Sequence, residues 1–177
     1  MTQAPNATHL EQMVLWFEIN QFYTREARLL DAEDYDAWLS TMTEDIAYWM
    51  PTRETLFRKE EKELDPQHMN FYKETLTSLR VRTYRLKTGT AWSENPRTRY
   101  RHLITNVEVE ASDVPNEYKV GSNFLIYRNR LERDECWLVG TREDLLRRGD
   151  DGSLRLASRT ILLDQNSMLS KNLNVYA

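Results

Sequence analysis

The chain has 177 residues, of which 40% are hydrophobic and 11% aromatic, and carries a formal charge of −4. This length and apolar content support one folded domain with its own core and exclude a disordered chain. The acidic balance gives no general pull toward nucleic acid or an anionic membrane, and no apolar run reaches the roughly 18 residues that a membrane-spanning helix needs.

Residues 1–8 read as a flexible N-terminus without the basic and apolar segments of a secretory signal. Thr8-His9-Leu10-Glu11 has the form of a capping box, with the Thr8 hydroxyl accepting from the first turn and Glu11 reaching back. The helix that follows is expected to run to about Leu30. Trp16, Ile19, Tyr23, Ala27 and Leu30 recur at three- and four-residue spacing along its apolar stripe. Asp31 to Asp34 ends it and caps a short second helix, where Tyr35, Trp38, Leu39 and Met42 form the buried side. Thr43-Glu44-Asp45 reads as a turn, and Ile46 to Met50 as a short strand ended by Pro51. Thr52 to Asp65 is mostly charged and is expected to be an exposed loop or a partner-binding arm. A third helix is predicted from about Met69 to Lys87, with Gly89 as its C-cap.

Four long strands follow: Arg101–Glu110, Glu117–Leu131, Glu135–Arg147 and Leu154–Leu163. Apolar and polar residues alternate along them, and the last connection, Gly149-Asp150-Asp151-Gly152, contains an Asp-Gly hairpin signal. Short connections make neighbouring strands antiparallel. Both faces carry large apolar side chains: Phe124 and Ile126 oppose Leu125 and Tyr127, and Trp137 and Val139 oppose Cys136 and Leu138. One face can pack on the chain's own helices; the other calls for a partner subunit or for strong curvature of the sheet. Residues 165–177 are too apolar for a free end and are expected to dock as a tail.

Helix, short helix, strand, helix and four long strands make an α+β roll, a single domain over residues 1–177. This order of elements resembles the nuclear-transport-factor-2-like (cystatin-like) superfamily, in which a long curved antiparallel sheet wraps around the N-terminal helix and leaves a cone-shaped cavity. That resemblance implies that a stand-alone isomerase or dehydratase has to be weighed. Asp36, Asp45, Tyr48 and His102 are its candidate groups, with Asp45 and His102 as the working pair. A hydrated cavity where the two converge would favour it; a cavity plugged by Trp16, Tyr23 and Trp38 would oppose it.

Other chemistry is poorly supplied. His9, His68 and His102 share no short spacing, so an iron triad of two histidines and a carboxylate would need distant assembly. The lone Cys136 cannot complete a Rieske set of two cysteines and two histidines, and it fits a reducing compartment, the cytoplasm. Arginine outnumbers lysine 18 to 6, which favours bidentate pairing with carboxylates at protein contacts, or else reflects compositional bias. The basic stretch Arg80, Arg82, Arg85, Lys87, Arg97, Arg99 and Arg101 lies near Tyr84, Trp92 and Tyr100. Its charges fall on two elements of an acidic chain, which favours a protein interface over single-stranded nucleic acid.

Phe22-Tyr-Thr-Arg-Glu-Ala-Arg-Leu-Leu-Asp31, Tyr35-Asp-Ala-Trp38 and Tyr48-Trp-Met-Pro51 resemble the β (small) subunits of bacterial aromatic-ring-hydroxylating dioxygenases. So do Trp92-Ser-Glu-Asn-Pro-Arg97 leading into Arg101-His-Leu-Ile-Thr-Asn-Val107, Tyr127-Arg-Asn-Arg-Leu-Glu-Arg133, Asp144-Leu-Leu-Arg-Arg148 and Arg159-Thr-Ile-Leu-Leu-Asp164. The biphenyl, benzene and polycyclic-hydrocarbon systems are the most similar. The resemblance implies a non-catalytic structural subunit joined to a larger α subunit and to other β subunits, as three α with three β. It places the Rieske 2Fe–2S cluster and the mononuclear Fe(II) on α, with NADH-derived electrons and O2 giving a cis-dihydrodiol. This chain is expected to supply no catalytic, cofactor-binding or metal-binding residue, and to meet neither nucleic acid nor membrane. Residue type and strand position give the candidate interface residues Trp49, Trp92, Arg97, Arg99, Arg101, His102, Tyr127, Arg128, Arg130 and Arg159.

Overall fold

The computed structural model describes residues 7–52, 69–88, 96–132, 134–165 and 175–177. Helix α1 spans Ala7–Asp31 and α2 Tyr35–Leu39; strand β1 spans Met42–Pro51 and β2 Asn70–Glu74. Helix α3 runs over Leu76–Lys87, and the long strands are β3 (Arg99–Ala111), β4 (Glu117–Arg130), β5 (Asp134–Arg148) and β6 (Leu154–Leu163). They form one sheet in the order β2-β1-β6-β5-β4-β3. The four long strands pair antiparallel as expected, but β1 lies parallel to β6, so the sheet as a whole is mixed.

Local chemistry explains the departures from the sequence expectations. Helix α1 is already under way at Ala7, so Thr8 lies inside its first turn and not at its cap. Thr43 to Asp45 is strand, because β1 starts at Met42. The segment expected to be a single helix from Met69 to Lys87 is divided at Thr75. Asn70–Glu74 pairs with β1 as an edge strand, and the Thr75 hydroxyl then accepts from the Ser78 amide while the Ser78 hydroxyl accepts from the Thr75 amide. Such reciprocal capping starts α3 cleanly. Thr88 is the C-cap of α3, and Gly89 lies outside the described residues.

Sheet curvature has identifiable sources. At Asn106 the backbone takes φ 53°, and the β3–β4 register slips between Thr105 and Glu108. This bulge bends β3 around α1, and the Trp16 indole donates to the Val107 carbonyl at 3.1 Å just beyond it. Gly140 is needed where β5 closes on β6: a Cβ there would lie 2.1 Å from the Leu162 carbonyl oxygen. The β5–β6 turn closes with Gly152 at φ 78° and Gly152 N donating to Gly149 O.

The core lies between the inner face of the sheet and α1, α2 and residues 175–177. Ile19, Tyr23 and Leu30 of α1 pack there with Trp38, Tyr48, Phe124, Ile126 and Ile161. Two members of the expected α1 stripe differ. Trp16 is 49% exposed, and the charged Glu26, fully buried, takes the inward place expected for Ala27.

Candidate functional site

The inner face holds a buried charge network where a cavity was expected. Arg159, on β6, has no exposed surface. Its Nη1 and Nη2 donate to the two carboxylate oxygens of Glu26 at 2.8 and 2.9 Å, and its Nε and Nη2 donate to Asp144 at 2.9 and 2.7 Å. The register puts Arg159 directly opposite Asp144 on one side and Tyr48 on the other, so strand pairing alone lines these groups up. Arg142 donates to the Ser122 hydroxyl, lies 3.5 Å from Glu26, and has its guanidinium 4.7 Å above the Tyr23 ring. Tyr23 donates to Asp144, and Trp38 to Glu26. Two arginines thus balance two carboxylates, as buried charges require. Burial pushes the Glu26 carboxyl up, but Arg159 and then Arg142 outweigh it and hold it at about 2. Burial raises the phenols of Tyr23 and Tyr48.

The isomerase pair does not assemble. Asp45 is exposed near the start of β1, where hydrogen bonds from Thr43 and Arg147 lower its carboxyl. His102 is buried on β3, at the far edge of the sheet. Its Nδ1 lies 2.7 Å from Asp31, and its Nε2 lies 2.8 Å from the Tyr176 carbonyl. Both partners are acceptors, so the ring bridges α1 to residue 176 and does not face Asp45. Asp36 is exposed and paired with Lys87, and Tyr48 is bound to Ala177. Tyr23 and Trp38 do fill the interior; Trp16 does not, because its ring sits at the rim on the β3 bulge.

Among the described residues no three His, Cys, Asp or Glu side chains are grouped to hold a metal ion. His9 is exposed on α1, His102 is enclosed as above, and His68 lies outside the described residues. These residues do not fit an iron site or a Rieske cluster.

The outer face is a different surface. Leu103, Leu125 and Val139 line up across β3, β4 and β5, and Arg101, Tyr127 and Trp137 form the next row. Leu103 is 50% and Trp137 54% exposed, and the Tyr127 and Trp137 rings meet at 4.8 Å with their planes tilted by 49°. At the other end of this face Glu108, Glu110 and Glu143 surround a shallow cleft with Lys119, Gly121 and Thr160.

The candidate interface residues divide between these faces. Arg99, Arg101 and Tyr127 belong to the outer face, as does Trp49, whose indole donates to Asn70. Arg97 is exposed and paired with Glu33. His102, Arg128 and Arg159, expected at an interface, point inward and are buried within the chain, since alternation on β3, β4 and β6 assigns them to the core side. Half-buried Arg130 donates to the Pro96 carbonyl. Trp92, all of the 52–65 loop beyond Thr52, and Met168, Leu169 and Leu173 lie outside the described residues. Sequence reasoning missed Glu26, Asp144 and Arg142 as a unit. Glu26 is the one available signal, an acidic residue on the inward side of an amphipathic helix.

The family model described as "Ring hydroxylating beta subunit" matches residues 25–170. The chain is 39% identical over 165 residues to the β subunit of biphenyl 2,3-dioxygenase from Rhodococcus jostii, covering 92% of this chain and 88% of that one. A solved naphthalene 1,2-dioxygenase superposes with a TM-score of 0.83 at 26% identity, covering 98% of this chain and 95% of its own. The β subunit of benzoate 1,2-dioxygenase from Burkholderia mallei gives 0.67 at 26% identity, covering 82% and 88%. A scytalone dehydratase-like structure from Novosphingobium aromaticivorans gives 0.64 at 15% identity, covering 87% of each chain, and shares the fold alone.

Proposed function

The chain belongs to the family of ring-hydroxylating beta subunits, and from that premise we propose that it holds a terminal dioxygenase together through the outer face of its sheet. It is a non-catalytic subunit of an oxidoreductase, and its partner is the α subunit. The proposed complex is a cytoplasmic hexamer of three α and three β chains. The α subunit carries the Rieske 2Fe–2S cluster and the mononuclear Fe(II), and it cis-dihydroxylates an arene of the biphenyl class with O2 and electrons from NADH. One observation carries this reading: the inner face is closed by the chain's own paired charges, while the outer face leaves rows of aliphatic and aromatic side chains in solvent. Exposed apolar rows on a sheet are the mark of a protein contact. We assign that contact to Arg99, Arg101, Leu103, Tyr127 and Trp137, with α as the occupant.

The test is co-expression of the α subunit with and without this chain, read by sizing and by dihydrodiol formation. The assembled hexamer and full turnover are expected only with both chains. Normal assembly and turnover by α alone would overturn the proposal.

A further inference from the structure

Residues 175–177 lie inside the roll with Val175, Tyr176 and Ala177 all buried, and they join no strand ladder. Buried carbonyls need donors. Here side chains from four different strands supply them. Tyr72 of β2 donates to the Val175 carbonyl at 3.0 Å. His102 Nε2 of β3 lies 2.8 Å from the Tyr176 carbonyl. Tyr48 of β1 and Arg159 of β6 both donate to the Ala177 oxygen at 2.9 Å, and the Ala177 amide donates back to the Tyr48 hydroxyl at 3.0 Å.

The ring of Tyr176 has a matching bed. Its centroid lies 4.8 Å from that of Trp38, 5.8 Å from Tyr35 and 5.9 Å from Tyr72. Close ring pairs of this kind contribute beyond simple area burial. The donors and the rings stand on strands and on α2, not on the tail, and strand pairing and the Arg159 pairs with Glu26 and Asp144 also tie Tyr48, Tyr72 and Arg159 to the sheet. A few convergent polar groups among aromatic walls are what a small-molecule site requires.

We propose that residues 175–177 fill a pocket built to hold a carbonyl group against aromatic rings, and that once vacated it takes a small aromatic carbonyl compound. The ligand's ring takes the place of the Tyr176 side chain between Trp38 and Tyr35, and its carbonyl oxygen accepts from Tyr72 or His102. No covalent step is involved.

The probe is 4-hydroxyacetophenone, which carries a phenol ring and one carbonyl, and 4-cresol, which lacks the carbonyl, is the control. The first protein is the full chain shortened by residues 175–177. The second is the full chain with a protease site replacing residues 170–172, cleaved only after folding, so that the interior forms around the tail. Binding is read by calorimetry and by quenching of tryptophan fluorescence. The shortened or cleaved protein is expected to bind one 4-hydroxyacetophenone at least tenfold tighter than the intact chain, and at least tenfold tighter than it binds 4-cresol. Tyr72→Phe in the same background is expected to weaken binding about fivefold, the loss of one hydrogen bond. In the cleaved protein the probe releases the tail fragment through a filter. Equal binding by the opened and intact proteins, equal binding of 4-cresol, or retention of the fragment at saturating probe would each overturn the proposal.

Discussion

The two faces of one sheet have opposite characters. Inward, charged side chains are buried and matched: Arg159 and Arg142 meet Glu26 and Asp144 with almost no exposed surface. Outward, Leu103 and Trp137 stand half in solvent although nothing about their chemistry calls for it. A charge cluster is set into the apolar core, while the outer face exposes hydrocarbon beside its charges. A buried ion pair adds little net stability over a good apolar core, yet losing one member is costly. The inner face therefore fixes a single arrangement of α1 against the sheet, and the outer face carries the apolar area assigned to a partner.

Breaking the inner face should have the largest effect. Arg159→Met leaves Glu26 and Asp144 facing each other with Arg142 as the remaining counter-charge. A loss of about 3–5 kcal/mol is expected, read from the urea midpoint. An unchanged midpoint would mean that packing, not charge pairing, holds the interior.

Acid should act nearly as strongly through Glu26. Its carboxyl is held at about 2 in the folded chain against an ordinary 4.5. A depressed carboxylate contributes stability that is complete above about 4.5 and is lost as pH falls from there toward 2. The gap corresponds to roughly 3 kcal/mol. The stability difference between the natural chain and Glu26→Gln should accordingly shrink as pH drops through this window. A difference independent of pH would assign the effect to shape alone.

Single hydrogen bonds to the tail come next. Tyr48→Phe removes the hydroxyl shared with Ala177 and should cost about 1 kcal/mol. Chemical denaturation measures it, and a change near zero would show that water replaces the lost group without penalty.

The smallest effect on folding sharpens the contrast most. Trp137→Asp on the outer face should change the unfolding free energy of the chain by no more than about 0.5 kcal/mol. The same variant should fail to join α on a sizing column. Unimpaired assembly would remove Trp137 from the interface.

Much of this architecture was legible because period-2 alternation survives any tertiary context. Phe124 and Leu125, or Trp137 and Leu138, had to part to opposite faces, and they do. Strand β2 was hidden because Tyr72 falls in helical step with Leu76 and Leu79, and the reciprocal Thr75–Ser78 cap that separates them uses serine where glutamate is the commoner signal. The charge network was illegible for a different reason. Glu26 lies 133 residues from Arg159 and 116 from Arg142, and no local rule links positions so distant. An arginine excess looked like surface chemistry; part of it is interior chemistry, since Arg128, Arg142 and Arg159 are all buried. The outer row of Leu103, Leu125 and Val139 was foreseeable as apolar, but that no helix among the described residues covers it follows only from the three-dimensional fold.

Strand β3 forms one margin of the sheet, and two of its outward backbone groups are already engaged. Asp31 accepts from the His102 amide at 3.0 Å, and Trp16 donates to the Val107 carbonyl. An incoming strand of another molecule would find those positions taken and a kink at Asn106 between them. Copies of this chain are thereby barred from stitching end upon end into a growing ribbon along that border. What that border withholds from other copies, the broad faces of the sheet can still offer.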